Sequence, residues 1–199
     1  GMSVGRLNLS HGTPEEHHSY VKMLRQAAED MGIAIGILAD LPGPKYRVGE
    51  MEQDEIVLAT GHHFILQAEP SKGNSERANV WPPGLHKDIK QGSLVLIDEG
   101  AVELRVESIE GSNIECRVSL GGVMKPNKAV TAPGNTSTLD YFTSETEAAI
   151  EFVGSSDVDF VGLSYVRSAD DVERVRTRLL KVGQTPQLVA KIEIQQAVD

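Results

Sequence analysis

Apolar positions along this chain follow two rhythms, and the changes between them divide it into three segments. Near the start, Val4 to Leu9 reads as a strand, followed by the turn Ser10-His11-Gly12. Thr13-Pro14-Glu15-Glu16 then combines an N-cap hydroxyl, a proline at the first helical position and a glutamate at the third, the pattern of a capping box. Val21, Leu24, Ala28 and Met31 recur at spacings of three and four, which predicts one buried helix face closed by Gly32. Ile33 to Asp40 is an almost continuous apolar run, as expected of a strand covered on both faces.

From about Arg47 to Pro133 the rhythm shortens. Val57, Phe64-Ile65-Leu66, Leu94 to Ile97, Val102-Leu104-Val106 and Ile114-Cys116-Val118 are brief runs of strand character. Asp98-Glu99-Gly100 and Glu110 to Asn113 separate them as turns, so this stretch predicts a small antiparallel β domain. Alternation of strand and helix then returns. Ser144 and Glu147 suggest a second capping box, Asp159 to Val166 a buried strand, and Ser168 a cap before the helical face Val172, Val175 and Leu179. Leu188 to Glu193 reads as a further strand.

Strands alternating with amphipathic helices make a parallel sheet, and a parallel barrel carries its chemistry at the C-terminal ends of its strands. That rule selects Asn8, Ser10 and His11, then Asp40, then Ser164 and Arg167, then Lys191 and Glu193. The remaining notable residues have bland readings. His17-His18 and His62-His63 are expected to be solvated, without partners at metal-ligand spacing. Cys116 alternates with Ile114 and Val118 and is expected in a core. Trp81, ahead of Pro82-Pro83, reads as a loop anchor.

Composition narrows the function classes. The 199 residues hold one cysteine and carry a formal net charge of −10. A single cysteine excludes a disulfide framework and fits a reducing, cytoplasmic setting. The acidic balance argues against nucleic acid as a partner, and no apolar run approaches the ~20 residues of a membrane helix. Gly1 before Met2 reads as a residue left by tag cleavage, and the abrupt ends suggest a segment of something longer.

Five segments in order carry a resemblance to one family. Arg6-Leu7-Asn8-Leu9-Ser10-His11-Gly12, Asp40-Leu41-Pro42-Gly43-Pro44-Lys45-Tyr46-Arg47, Gly121-Gly122 through Asn127-Lys128 to Pro133-Gly134, Asp159-Phe160-Val161 through Arg167, and Ala190-Lys191-Ile192-Glu193 resemble motifs of the pyruvate kinases. The resemblance implies an α/β fold: part of a (β/α)8 TIM barrel with an inserted antiparallel β-barrel lid. Residues 1–46 would supply barrel strands two and three, 47–134 the lid, and 135–199 strands four and five.

It also implies roles. Phosphoryl transfer between phosphoenolpyruvate and ADP, giving pyruvate and ATP in glycolysis, needs cations aimed at phosphate oxygens. By resemblance, Lys191 is the catalytic cation and contacts substrate together with Arg6. Asn8, His11, Arg47 and Lys128 bind nucleotide, and Glu193 is a ligand of Mg²⁺ (or Mn²⁺). Asn8, Ser10, Asp40 and Leu41 match a monovalent-cation site. Leu41 and Lys45 stand where most members have Thr and Glu. That pairing resembles the K⁺-independent branch, with the Lys45 ammonium as a tethered replacement for K⁺. Asn127 and Ala129 depart from the family's Lys and Gly, which bears on the lid's nucleotide contacts. The chain by itself is expected to be inactive and to self-associate through open sheet edges as a homo-oligomer. The alternatives are a related barrel aldolase or lyase of phosphoenolpyruvate or pyruvate chemistry, and a non-catalytic truncated paralogue acting as a binding module. The lid-sized insertion with Lys128 argues against the first.

Overall fold

The computed structural model describes residues 1–135 and 137–198; Thr136 and Asp199, both within the stretch 135–199 assigned to the barrel, lie outside the described residues. In chain order the elements are β1 (Val4–Asn8), α1 (Pro14–Met31), β2 (Gly36–Leu41), β3 (Tyr46–Val48), β4 (Ile56–Leu58), β5 (His63–Gln67) and β6 (Arg77–Trp81). The short helix α2 (Leu85–Asp88) precedes β7 (Leu94–Ile97), β8 (Val102–Glu110), β9 (Asn113–Leu120), β10 (Gly122–Met124) and β11 (Ala129–Thr131). The last elements are α3 (Ser144–Gly154), β12 (Phe160–Leu163), α4 (Ala169–Lys181) and β13 (Gln187–Ala190). The chain separates into two compact units, Gly1–Pro44 with Asp140–Asp199, and Lys45–Leu139.

The first unit is a four-stranded sheet of order β1-β2-β12-β13. Every pair in it is parallel. Helices α1, α3 and α4 provide the crossovers that parallel pairing requires. Their apolar faces and one face of the sheet share a core that includes Leu7, Val21, Ile37, Ala39, Ile150, Val153, Val161, Leu163, Val175 and Leu179. The fold is thus α/β, built from βα units of a parallel barrel.

Helix ends follow the local chemistry, with instructive differences. Thr13 accepts from the Glu16 amide while Glu16 reaches back to the Thr13 amide, and Gly32 closes α1 in the left-handed region (φ 63°). Met31 does not join the buried face: it is exposed, one turn beyond the last core contact of α1. At α3 the cap is Thr143, one residue before the expected Ser144, and its hydroxyl accepts from the Thr146 amide. Glu147 pairs instead with Arg178 of α4. Thr143→Ala is therefore expected to cost about 1 kcal/mol in urea unfolding, and Ser144→Ala much less. Ser168 occupies the cap position of α4 without a side-chain bond. Asp171, in the first turn, instead ties down the residue before the cap, its carboxylate accepting from the Arg167 amide at 3.0 Å and from the Arg167 guanidinium at 3.1 Å.

Strands are shorter than the apolar runs that announce them. Ile33 lies before β2 and is exposed, because the chain joins the sheet only at Gly36. β12 stops at Leu163, and Tyr165 adopts a positive φ of 53°. β13 stops at Ala190, so Lys191 and Glu193 follow the strand rather than lie within it. His17 also departs from expectation, since its ring is buried under the first turn of α1.

The second unit is a closed barrel of order β11-β3-β6-β5-β9-β8-β7, closed by pairing of β11 with β7. All ladders are antiparallel except β5–β6, which is parallel. β4 and β10 form a separate two-stranded ribbon, on which Val57 is exposed rather than buried. Phe64, Leu66, Val95, Ile97, Leu104, Ile114 and Cys116 fill the interior. Burial, with Glu115 and Glu107 adding to it, pushes the Cys116 thiol up to about 12, as expected of an inert core thiol. Trp81 ends β6 instead of anchoring a loop, and its side chain is exposed.

Where the chain enters and leaves this unit, one carboxylate holds both segments. Asp88 accepts from the Tyr46 hydroxyl at 2.5 Å, and from the Thr138 hydroxyl and amide at 2.6 and 3.1 Å. Burial and this carboxylate both raise the Tyr46 hydroxyl above its ordinary value.

Candidate active site

Side chains alternate across a strand, so residues paired in a parallel register share a face. Asn8 pairs with Asp40, and Asp40 with Gly162. This sets Asp40 on the sheet face opposite the helix core, at the C-terminal edge, between β1 and β12. Gly162 makes the space: a Cβ there would stand 3.1 Å from Asp40 Oδ1.

Two cations converge on that carboxylate. Arg6 places Nη2 at 2.5 Å and Nε at 2.7 Å from Oδ2. Lys191 places Nζ at 2.8 Å from Oδ1 and 3.1 Å from Oδ2. Only 3% of the Asp40 side chain is exposed, against 58% for Arg6 and 27% for Lys191. The carboxylate is the buried anchor, and the cations are the parts that reach outward. Arg carries five N–H donors, and the contacts to Asp40 Oδ2 run through Nε and Nη2.

The backbone past β13 is held by the Lys191 amide donating to Leu163 O at 3.0 Å. Two residues on, Glu193 Oε2 accepts the Tyr165 amide at 2.9 Å, and Oε1 lies 3.7 Å from Lys191 Nζ. The positive φ of Tyr165 turns its amide toward this carboxylate. Ser164 donates its hydroxyl to Leu41 O at 2.6 Å and stands 3.4 Å from Asp40 Oδ1. Tyr141, fully buried, supports Ser164 by donating to its carbonyl at 3.0 Å. Gly43 runs so close beneath that a Cβ would stand 2.6 Å from the same carbonyl oxygen.

Asn8, Ser10 and His11 form the turn beside this cluster. Leu9 donates to Asp40 O at 3.1 Å, which fixes the start of the turn against β2. Asn8 Oδ1 accepts the Ser10 amide at 3.2 Å, and Asn8 O accepts the His11 amide at 3.3 Å.

Arg47, Lys128 and Lys45 belong to the second unit. Arg47 on β3 donates to Asn127 O at 3.0 Å. Lys128 lies between 3.0 and 3.1 Å from the two carboxylate oxygens of Asp98. Asp98, Glu99 and Gly100 all have positive φ in the tight connection from β7 to β8, which turns Asp98 toward β11. Among the described residues no cluster of three or more His, Cys, Asp or Glu side chains forms a closed metal site.

The first unit therefore gathers Arg6, Asp40, Lys191 and Glu193 beside the Asn8–His11 turn, and the second gathers Arg47, Lys128 and Asp98. Tyr141 and Gly162 were not singled out from the sequence. Tyr141 sits in a polar connection with no periodicity, and Gly162 is hidden inside an apolar strand.

Comparison with known proteins gives a consistent result. The family model of the pyruvate kinase barrel domain matches residues 1–199. The chain is 36% identical over 198 residues to the pyruvate kinase of Corynebacterium efficiens, covering 100% of this chain and 42% of that protein. It is 34% identical over 199 residues to the pyruvate kinase of Mycobacterium tuberculosis, with the same coverage. To the pyruvate kinase of Thermococcus litoralis it is 35% identical over 198 residues, again covering 42% of that protein. The chain thus spans less than half the length of these curated relatives.

Proposed function

The chain belongs to the pyruvate kinase family, and from that premise we propose that it carries the phosphate-gripping part of an enzyme that transfers a phosphoryl group between phosphoenolpyruvate and ADP, giving pyruvate and ATP. The observation that carries this reading is the meeting of Arg6 and Lys191 on the buried carboxylate of Asp40. The transferring group passes through a state with charge spread over its oxygens, and catalysis consists of positioning and neutralising that charge. Lys191, held by Asp40, faces the charge as it develops, and Arg6 holds the phosphate of the carboxylate substrate. Asn8, His11, Arg47 and Lys128 bind the nucleotide. The test is formation of ATP from phosphoenolpyruvate and ADP by the whole protein; the reading fails if no ATP forms and a 2-keto acid is cleaved instead. The chain alone is inactive in this reading. The protein works in the cytoplasm and binds no nucleic acid; no described helix is long and apolar enough to cross a membrane.

Mg²⁺ (or Mn²⁺) would be held by Glu193. The fit is sound: Mg²⁺ takes oxygen donors, and one or two carboxylates with substrate phosphates suffice. Among the described residues, the nearest charged partner of Glu193 Oε1 is Lys191 Nζ at 3.7 Å. When bound, the ion neutralises phosphate charge.

The chain is assigned to the K⁺-independent branch of the family. In support, the Asp40, Leu41 and Asn8 oxygens of the matching K⁺ site already have partners. Asp40 has both oxygens on cations, Leu41 O accepts the Ser164 hydroxyl, and Asn8 Oδ1 accepts the Ser10 amide. A further monovalent cation beside Arg6 and Lys191 would meet like charge, which is disfavoured even at an effective dielectric of about 20. Lys45 is the tethered substitute for K⁺. Activity of the whole protein is expected to persist with tetramethylammonium as the sole monovalent cation, within about twofold of its value in K⁺; a collapse on removing K⁺ would refute the assignment.

Self-association is proposed for the isolated chain through its outer strands β1 and β13, where Val4 is 48% and Val189 42% exposed. Sedimentation is expected to show a concentration-dependent species larger than a monomer; a stable monomer at every concentration refutes it.

A further inference from the structure

Beneath the turn that precedes α1 lies a side chain to which the reading above gives no role. Residues 10–16 are all exposed, yet His17, the fourth residue of α1, is only 8% exposed. Its Nε2 lies 2.7 Å from the carbonyl oxygen of His11. A carbonyl oxygen only accepts, so Nε2 carries a proton and donates it. The ring packs edge-on against Phe152 of α3, with centroids 5.7 Å apart, and against Tyr20 at 6.3 Å. Its other nitrogen, Nδ1, is buried and has no hydrogen-bond partner among the described residues.

One turn inside a helix cap, chains commonly place an apolar side chain that packs on the residue before the cap and fixes the angle of approach. Here the residue before the cap is Gly12, with φ +80°, and a Cβ on it would stand 3.0 Å from Glu16 Oε2 and 3.4 Å from His17 Nε2. The usual apolar contact is replaced by a directed hydrogen bond to the residue before that. A leucine at 17 would bury the same surface without stranding a nitrogen, so packing alone does not account for a histidine. The bond completes the fixing of a short turn. Asn8 accepts the Ser10 and His11 amides, Glu16 accepts the Thr13 amide at 2.8 Å, and His17 takes the His11 carbonyl between them.

We propose that His17 is a positioning residue for nucleoside diphosphate binding: through the His11 carbonyl it sets the turn that presents Asn8 and His11 to the ligand. The inference rests on the assignment of those two residues to nucleotide. It is tested in the whole protein with His17→Leu, which keeps the volume and loses the donor, and His17→Gln, which keeps a donor amide. His17→Leu is expected to raise KM for ADP about tenfold, the scale of one lost positioning hydrogen bond, with kcat and KM for phosphoenolpyruvate within about twofold. His17→Gln recovers most of the difference, which a merely structural role would not produce. Hydrogen-exchange mass spectrometry is the second readout. In His17→Leu the peptide covering residues 8–14 exchanges faster, while the remainder of α1 keeps its protection. The proposal is overturned if KM for ADP is unchanged in His17→Leu, if His17→Gln is no better than His17→Leu, or if exchange in residues 8–14 is unaltered. Should the unmodified protein form no ATP, the assignment of the reaction falls, and the exchange result alone decides whether His17 holds the turn.

Discussion

Replacing Lys191 by methionine in the whole protein is expected to lower kcat for ATP formation by about 10²–10³-fold, the scale found when one preorganised donor is removed from a transition state. Methionine keeps the length and apolar stem of lysine and deletes the ammonium. Asp40 would keep Arg6 on Oδ2, while Oδ1, among the described residues, would keep the Ser164 hydroxyl at 3.4 Å. Some stability is lost with the pair, so the far-ultraviolet spectrum and the unfolding midpoint are checked alongside the rate. Lys191→Arg separates charge from geometry: it restores the cation but spreads it over a planar fork, and a partial recovery is expected. A fall in kcat of less than tenfold for Lys191→Met would remove Lys191 from the reaction and leave it as a structural partner of Asp40.

The second large effect concerns the closed barrel. Phe64→Ala is expected to destabilise the unit Lys45–Leu139 by about 3–5 kcal/mol, because Phe64 is fully buried and an alanine leaves a cavity that a closed ladder cannot collapse around. Phe64 is paired with Cys116, and Cys116 in turn with Val106, so its strand is held from the neighbouring ladder. With a urea slope of about 1–3 kcal/mol/M, the midpoint should fall by more than 1 M. Val57→Ala, on the exposed face of the β4–β10 ribbon, should stay within about 0.5 kcal/mol of the unmodified chain. Equal effects of the two substitutions would mean that the barrel interior is not where the stability lies.

Much of this was readable in the residues, and what was not has physical causes. The strand-end rule led to Asp40, Lys191 and Glu193, because charge at the end of an apolar run is a local signal; Arg6, in the middle of β1, was reached only through the family resemblance. The capping box at Thr13 was equally legible, since it depends on four adjacent residues. At α3 the same pattern misleads. Thr143 and Ser144 both carry a hydroxyl, and Thr143 takes the cap while Glu147 is drawn to Arg178, thirty-one residues away in sequence. His17 could not be placed by periodicity, as its burial depends on a carbonyl in the preceding turn and a ring on another helix. Strand ends were overrun because Ile33 is apolar without being covered and Ile35 is covered only in part. The parallel pairing of β5 with β6 leaves no turn signature, and the Asp98–Lys128 pair joins two different turns.

Asp88 clasps Tyr46 and Thr138, the two extremities of the barrel unit, onto a single carboxylate. A module whose ends are buckled together can be spliced into a surface loop without prying its flanks apart, since little closure entropy remains to be lost. It is by the same logic a portable cassette: bridged by a few glycines across the clasp, the segment can be cut out or transplanted, and evolution can lengthen or replace it while the residues that receive it keep their spacing.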